Sequence, residues 1–250
     1  MLHSCSLRKE IIHQKKIIII GASSGLGRGT AEILASKGHQ LGLIGRRIEL
    51  LEEIATPFSN VKIAKMDVTH EDAIAVLEKL IAEMGGMDML FYSSGIGKAI
   101  IDIDYENENR TNKTNIDGFT GIACFAYHYF KNQGHGHFAV ISSVAGYRGL
   151  RGAPSYSATK GYQRLFTESL AQTAHHQKLN IRFTTIIPGF VDTDLIKDQK
   201  YPLTLPLKKA VRIIAKGLLK QKRYIFVDGK WRFIVFAMRI VPNWIWERML

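Results

Sequence analysis

Apolar residues come in short runs separated by stretches with a helical period. Residues 16–20 form a β-branched run ended by Gly21, and 28–36 then carry an amphipathic pattern that stops at Gly38. The alternation recurs. Strands are expected at 40–44, 61–66, 87–92, 137–141, 181–187 and 223–227, and helices at 73–83, 117–132, 157–177 and 207–219. Continuous apolar strands alternating with helices predict a parallel sheet buried on both faces by helices, a three-layer α/β sandwich. The sheet has about seven strands, with right-handed crossovers. In such sheets ligands bind beyond the carboxyl ends of the strands, where the strand order reverses.

No Pro/Gly/Ser-rich linker divides the 250 residues, which suffice for one sizeable core. We expect one domain over 1–230, with 231–250 as an extension of it. Apolar residues make up 46% and charged residues 22%, ordinary globular values that exclude disorder and fibrous repeats. Cys5 and Cys124, far apart, form neither a disulfide framework nor a metal-ligand spacing, so no metal is expected. Residues 1–10 are polar and lack a signal-peptide core, and an intracellular, cytoplasmic setting is expected. The net charge of +12 fits a basic soluble surface equally with an anionic partner.

The first strand runs into Gly21-Ala22-Ser23-Ser24-Gly25-Leu26-Gly27. Glycines there allow a tight turn and close approach of the backbone to a pyrophosphate, with the next helix pointing its amino end at the phosphates. This makes the sandwich one of the Rossmann type. Dinucleotide folds usually carry an acid at the end of the second strand for the adenosine ribose; here Gly45-Arg46-Arg47 stands in that place. Two cations favour a 2′-phosphate, hence NADP(H) over NAD(H), although both could begin a solvated helix. Asp67-Val68 follows the third strand, where the carboxylate can accept from the adenine amino group or cap a helix.

Tyr156 and Lys160 are spaced to share one helix face. A neighbouring ammonium favours phenolate and lowers the tyrosine pKa towards the working range, where the phenol can give or take a proton. Taken alone, this spacing fits ordinary helix packing. Ser143 closes the fifth strand, where it can hold a substrate oxygen or cap a turn. Asn115, in the helical stretch 112–118, is compatible with a solvated face.

The chain resembles the short-chain dehydrogenase/reductase superfamily along nearly its whole length. The likeness is carried by Gly21–Gly27, Asp67, Asn115, Ser143, Tyr156, Lys160 and Pro188-Gly189-Phe190-Val191-Asp192-Thr193, in matching order and spacing. The resemblance implies that Tyr156 is the acid/base, that Lys160 binds the nicotinamide ribose and depresses the Tyr156 pKa, and that Ser143 orients the substrate. It also implies that Asn115 supports a water-linked proton relay. The cofactor-binding set is then Gly21, Ser23, Ser24, Gly25, Leu26, Gly27, Arg46, Arg47, Asp67, Val68, Gly95, Tyr156, Lys160, Pro188, Gly189, Val191 and Thr193. A homodimer or homotetramer through the helices holding Asn115 and Tyr156 is implied as well. Two departures stand out: Ile20 replaces a common threonine, and Tyr92-Ser93-Ser94-Gly95 replaces the usual Asn-Asn-Ala-Gly, removing asparagine contacts at that strand end.

The expected activity is reduction of a carbonyl to an alcohol, or the reverse, with reduction favoured because cellular NADP pools are kept reduced. The substrate walls are expected at 95–101, 144–154 and 190–207, with Ile96, Ile100, Ile101, Val144, Tyr147, Leu150, Phe190, Leu195 and Ile196 making an apolar, lipid-like substrate plausible. A non-catalytic NADP-binding sensor or scaffold on the same fold is the rival reading. Nucleic-acid binding lacks a recognised motif. Residues 231–250 hold all three tryptophans, interrupted by Arg232, Arg239 and Pro242, which argues against a transmembrane span. This tail can pack on the sheet or a second subunit, lie peripherally in an anionic membrane interface, or lid the pocket.

Overall fold

A computed structural model describes residues 14–97, 101–196 and 203–249. The leader at 1–10, Cys5, Ile100 and the 197–202 part of the third substrate wall lie outside the described residues.

Among the described residues there are seven strands: β1 (Lys16–Ile20), β2 (Gln40–Gly45), β3 (Val61–Lys65), β4 (Met89–Tyr92), β5 (His135–Ile141), β6 (Asn180–Pro188) and β7 (Tyr224–Val227). They pair in parallel in the order β3-β2-β1-β4-β5-β6-β7. The order reverses between β1 and β4, which opens a crevice at their carboxyl ends.

Alternation along each strand divides the core in two. Ile18, Ile20, Leu90, Tyr92, Phe138 and Val140 face one layer of helices, α3 (Ala73–Met84), α5 (Gly118–Gln133) and α6 (Pro154–His176). Ile17, Ile19, Leu41, Leu43, Phe91 and Ala139 face the other, α1 (Gly25–Ser36), α2 (Ile48–Ala55) and α7 (Leu207–Leu219). The sandwich expected from the sequence is the one found.

Helix α6 begins at Pro154, earlier than the apolar pattern suggests, because proline suits a first turn whose N–H has no helical partner. Tyr156 therefore sits in that first turn. Helix α4 (Tyr105–Asn112) precedes α5, and a π-helical turn at Lys113–Asp117 joins the two. The tail is also helical: α8 (Lys230–Ile240) and α9 (Asn243–Trp246). Trp231, Val235 and Met238 bury against Val144 after β5 and Ile187 of β6. Among the described residues, none of the tail lines the main cleft, so it backs the substrate wall and does not lid it.

Candidate active site

At the carboxyl edge of the sheet lies a cleft of about 840 Å³. Its floor is the turn after β1. Gly21 adopts φ +84°, and a Cβ there would sit 2.5 Å from the Ser94 nitrogen, so only glycine lets the end of β4 lean on the turn. A Cβ on Gly27 would lie 2.2 Å from the Gly21 carbonyl oxygen. Gly27 thus sets α1 hard against the turn without lining the cleft, while Gly21, Ser23, Ser24, Gly25 and Leu26 do line it.

The amino end of α1 opens into this space. Ser24, its N-cap, makes no capping bond with its side chain. Its hydroxyl accepts instead from Arg47 Nη2 at 2.9 Å, and the same nitrogen donates to Ser23 Oγ at 3.1 Å. Arg46 is exposed too, with Nη1 3.8 Å from Asp67 Oδ2. Asp67 Oδ1 accepts from the Thr69 nitrogen and hydroxyl at 3.0 and 2.8 Å, so it caps that turn and not α3. Burial pushes the Asp67 pKa up, but the Thr69 bonds and the Arg46 charge outweigh it and the net shift is downward. Val68 and Gly95 line the same side.

Across the cleft runs the loop after β6. Pro188, Gly189, Val191 and Thr193 all line it, with Thr193 packed 3.7 Å from where a Gly25 Cβ would lie. The Asp192 nitrogen donates to the Leu205 carbonyl at 3.0 Å, which pins the loop. From behind, Trp231 presses on Gly189 so closely that a Cβ there would overlap its ring.

The reactive end is built by β5, α6 and the π turn. Ser143 lies two residues beyond β5, not in it, and is buried at the start of a 3-10 turn at Val144–Gly146, its Oγ accepting from the Ala145 nitrogen at 3.1 Å. Tyr156 and Lys160 both line the cleft. Lys160 is 4% exposed, and its Nζ donates to the Ile141 carbonyl at 2.8 Å and to Gln163 Oε1 at 3.0 Å. Asn115 is fully buried and not solvated. Its Nδ2 donates to the Ile96 carbonyl at 2.7 Å and to Thr159 Oγ1 at 3.0 Å, while its Oδ1 accepts from the Ile96 nitrogen at 2.9 Å. Asn115 therefore clamps the chain just after β4, where the usual asparagines are missing. Tyr92, at one of those positions, is buried edge-on to Phe119 at 5.3 Å and directs its hydroxyl at the Thr114 carbonyl.

The ionisation pattern differs from the expected one. Burial dominates both partners: the Tyr156 phenol is raised, with the Ser143 hydroxyl pulling the other way, and the Lys160 amine falls to about 7. The lysine Nζ is 5.8 Å from the phenol ring centroid, and desolvation outweighs any depression of the phenol by its charge.

Of the expected apolar wall, Ile96, Ile101, Val144, Leu150, Phe190 and Leu195 line the cleft. Tyr147 instead packs with the tail cluster beneath the Arg164 guanidinium. Sequence reasoning missed Gln163 and Thr159. The signal for Gln163 was a polar residue on the buried face of α6, one turn beyond Lys160. It also missed Arg148, which holds the tail: its guanidinium donates to the Met238 carbonyl at 2.7 Å, to the Val241 carbonyl and to Asn243 Oδ1, and stacks 4.7 Å from the Trp246 ring centroid.

Comparison with known proteins follows the same lines. The family model described as short chain dehydrogenase matches residues 15–202. An uncharacterized oxidoreductase of Myxococcus xanthus is 32% identical over 235 residues, 90% of this chain and 92% of the relative. One of Listeria monocytogenes is 35% identical over 193 residues, 74% of this chain and 78% of the relative. In fold, the chain is similar to a short chain dehydrogenase from Burkholderia cenocepacia solved with NADP, with a TM-score of 0.81 at 18% identity, covering 95% of this chain and 98% of that one. It is also similar to an alcohol dehydrogenase from Thermococcus sibiricus solved with 5-hydroxy-NADP, with a TM-score of 0.76 at 22% identity, covering 86% and 96%. A glycine turn under the amino end of α1, a serine, tyrosine and lysine at one cleft, and a family match over most of the sequence agree: the chain is an oxidoreductase belonging to the short-chain dehydrogenase family.

Proposed function

We propose that this protein is an NADP(H)-dependent carbonyl reductase in which Tyr156 is the proton donor. The observation that carries the reading is the convergence of Ser143, Tyr156 and Lys160 on one end of a cleft whose other end is the glycine turn with Arg46 and Arg47. The turn fits a dinucleotide, since Gly21, Ser23, Ser24 and Gly25 line the cleft beneath the amino end of α1, whose N-cap side chain makes no capping bond. Arg47, tethered by two serine hydroxyls, suits a 2′-phosphate. When bound, the nicotinamide cofactor supplies the hydride.

The protein's share of the chemistry is positioning and proton transfer. The Ser143 hydroxyl donates to the substrate oxygen, and Tyr156 gives that oxygen its proton as charge develops there. A phenol kept protonated by burial suits a proton donor, so reduction is the working direction. Lys160 orients the cofactor ribose and favours departure of the phenol proton. Asn115 holds the wall at Ile96 against α6. Ile101, 86% exposed, and Leu195, 49% exposed, extend an apolar rim beyond the cleft, which favours an apolar ketone.

The tail supports a peripheral contact of this cytoplasmic enzyme with anionic lipid. Helix α8 turns Phe233, Phe236 and Ile240 outward and α9 adds Trp244, all at least 64% exposed. Lys230, Arg232, Arg239 and Arg248 surround them. Among the described residues no helix is long and apolar enough to cross a membrane, so this face would lie in the interface. Self-association through α5 and α6 is supported by Leu165, 56% exposed on α6.

NADPH oxidation at 340 nm against a panel of ketones, long-chain ones included, tests the activity in wild type and Tyr156→Phe. Turnover should fall by about a thousandfold or more in the variant while NADPH still binds. A variant as active as wild type would remove Tyr156 from the mechanism. A wild type that binds NADPH but turns over none of the panel would favour the sensor reading.

A further inference from the structure

Behind Tyr156 lies a polar group that the proposed mechanism does not use. Gln163 is fully buried on α6, and both ends of its carboxamide are engaged. Oε1 accepts from Lys160 Nζ at 3.0 Å, and Nε2 donates to the backbone carbonyl of Asn115 at 2.9 Å. That carbonyl belongs to the π turn Lys113–Asp117, whose wider winding is a common local device at functional sites. The side chain therefore spans the gap between Lys160 and Asn115, where the family resemblance implies a water-linked relay.

Counting donors shows the consequence. An ammonium has three N–H groups. The Ile141 carbonyl and Gln163 Oε1 take two, leaving one. Nζ also borders the cleft wall, since a Cβ on Gly95 would sit 3.0 Å from it. We propose that Gln163 is a positioning residue: it holds Lys160 as an ammonium and leaves a single N–H facing the cleft, while tying the lysine to the turn that carries Asn115. This rests on the reductase reading for its role in turnover, but not for its effect on Lys160.

Burial alone drives the Lys160 amine to about 7, with no charged side chain contributing to the shift. The groups facing Nζ are the Ile141 carbonyl from β5, Gly95 from the loop after β4, Gln163, and Tyr156 as the titratable neighbour. With no charged side chain against Nζ, the Ile141 carbonyl and Gln163 Oε1 are the acceptors in place to favour the charged form, and Gln163 is the one a substitution can remove. Two substitutions should push in opposite directions. Gln163→Leu removes the acceptor, so Lys160 loses its proton at lower pH. Gln163→Glu sets a carboxylate beside the ammonium, so it keeps the proton to higher pH.

The first readout needs no cofactor. Thermal stability of the free chain should begin to climb with pH where the folded Lys160 deprotonates. That onset should move down for Gln163→Leu and up for Gln163→Glu, each by roughly half a pH unit to one unit. The alkaline limb of kcat/KM for NADPH-dependent reduction should move the same way. Gln163→Met, unbranched and of similar volume, replaces the leucine variant if that fails to fold. Onsets that stay at the wild-type pH in folded variants, or that move in one direction for both, would overturn the proposal. An inactive wild type with oppositely moving stability onsets would instead overturn the reductase reading and keep the Gln163 assignment.

Discussion

Replacing Arg47 with alanine should weaken NADPH far more than NADH. The guanidinium is already fixed to the Ser23 and Ser24 hydroxyls at 3.1 and 2.9 Å, so little side-chain entropy is left to lose when a ligand arrives. A hydrogen bond to a charged group contributes about 1.5–3 kcal/mol, and about 1.4 kcal/mol is a factor of ten. Arg47 is exposed, so solvent and salt screen the pair and the lower end applies. The expected loss is about ten- to thirtyfold in NADPH affinity, with NADH changing by about twofold, since it lacks the 2′-phosphate. Arg46→Ala should cost less, because that side chain is 66% exposed and lies 3.8 Å from the Asp67 carboxylate, which competes for it. Fluorescence titration with both cofactors, at low and moderate salt, measures this. The loss for NADPH should shrink as salt rises. An equal drop for the two cofactors would mean that Arg47 serves the fold of the glycine turn, and the argument for a 2′-phosphate site would fail.

Two other outcomes follow from the structure. The folded Lys160 amine titrates near 7 and the unfolded one near 10.5, so between them the unfolded chain binds more protons and stability rises with pH. Lys160→Met should abolish that rise and melt higher than wild type at about pH 6 to 7 while losing activity; a wild-type melting temperature that is flat between pH 7 and 9 would refute the assignment. At the tail, Phe233→Ser combined with Phe236→Ser should weaken sedimentation with phosphatidylserine vesicles by about tenfold or more. If the wild type ignores such vesicles and the double variant instead dissociates an oligomer, this face is a subunit interface.

The sheet was legible because its strands are buried on both faces: Ile17–Ile20 must be apolar throughout, and the pattern shows it. Helix α2 leaves no such pattern, since its eight residues bury only Leu51 and Ile54, too few to establish a period. Helix α4 shows almost no apolar signal, burying Thr111 alone. It is held by tertiary and capping bonds, with Asp104 accepting from the Asn107 nitrogen and Glu108 from the Ser155 nitrogen. The site divides in the same way. The candidates from Gly21 to Lys160 stand out through the order and spacing that carry the family resemblance, and most of them line the one cleft. Gln163 and Arg148 do not stand out, because each acts on partners far along the chain: Gln163 on Asn115, Arg148 on the carbonyls after Met238. The ionisation pattern is not legible in the sequence for a related reason. Charge proximity can be guessed from helix spacing, whereas the depth of burial that outweighs it is a property of the folded whole.

The grip of Arg148 on the tail also bears on which parts of the site depend on the carboxyl-terminal helices. Helices α8 and α9 follow every strand in the chain, and synthesis delivers the chain from its amino end at about 5–20 residues per second. The sheet, the glycine turn and Tyr156 can all be in place while the loop after Ser143 still lacks its brace. A nascent chain, or one clipped after β7, would keep the dinucleotide cradle yet leave Gly189 without Trp231 behind it. The tail therefore braces the reactive end from outside the sheet, and its loss would loosen that end more than the glycine turn.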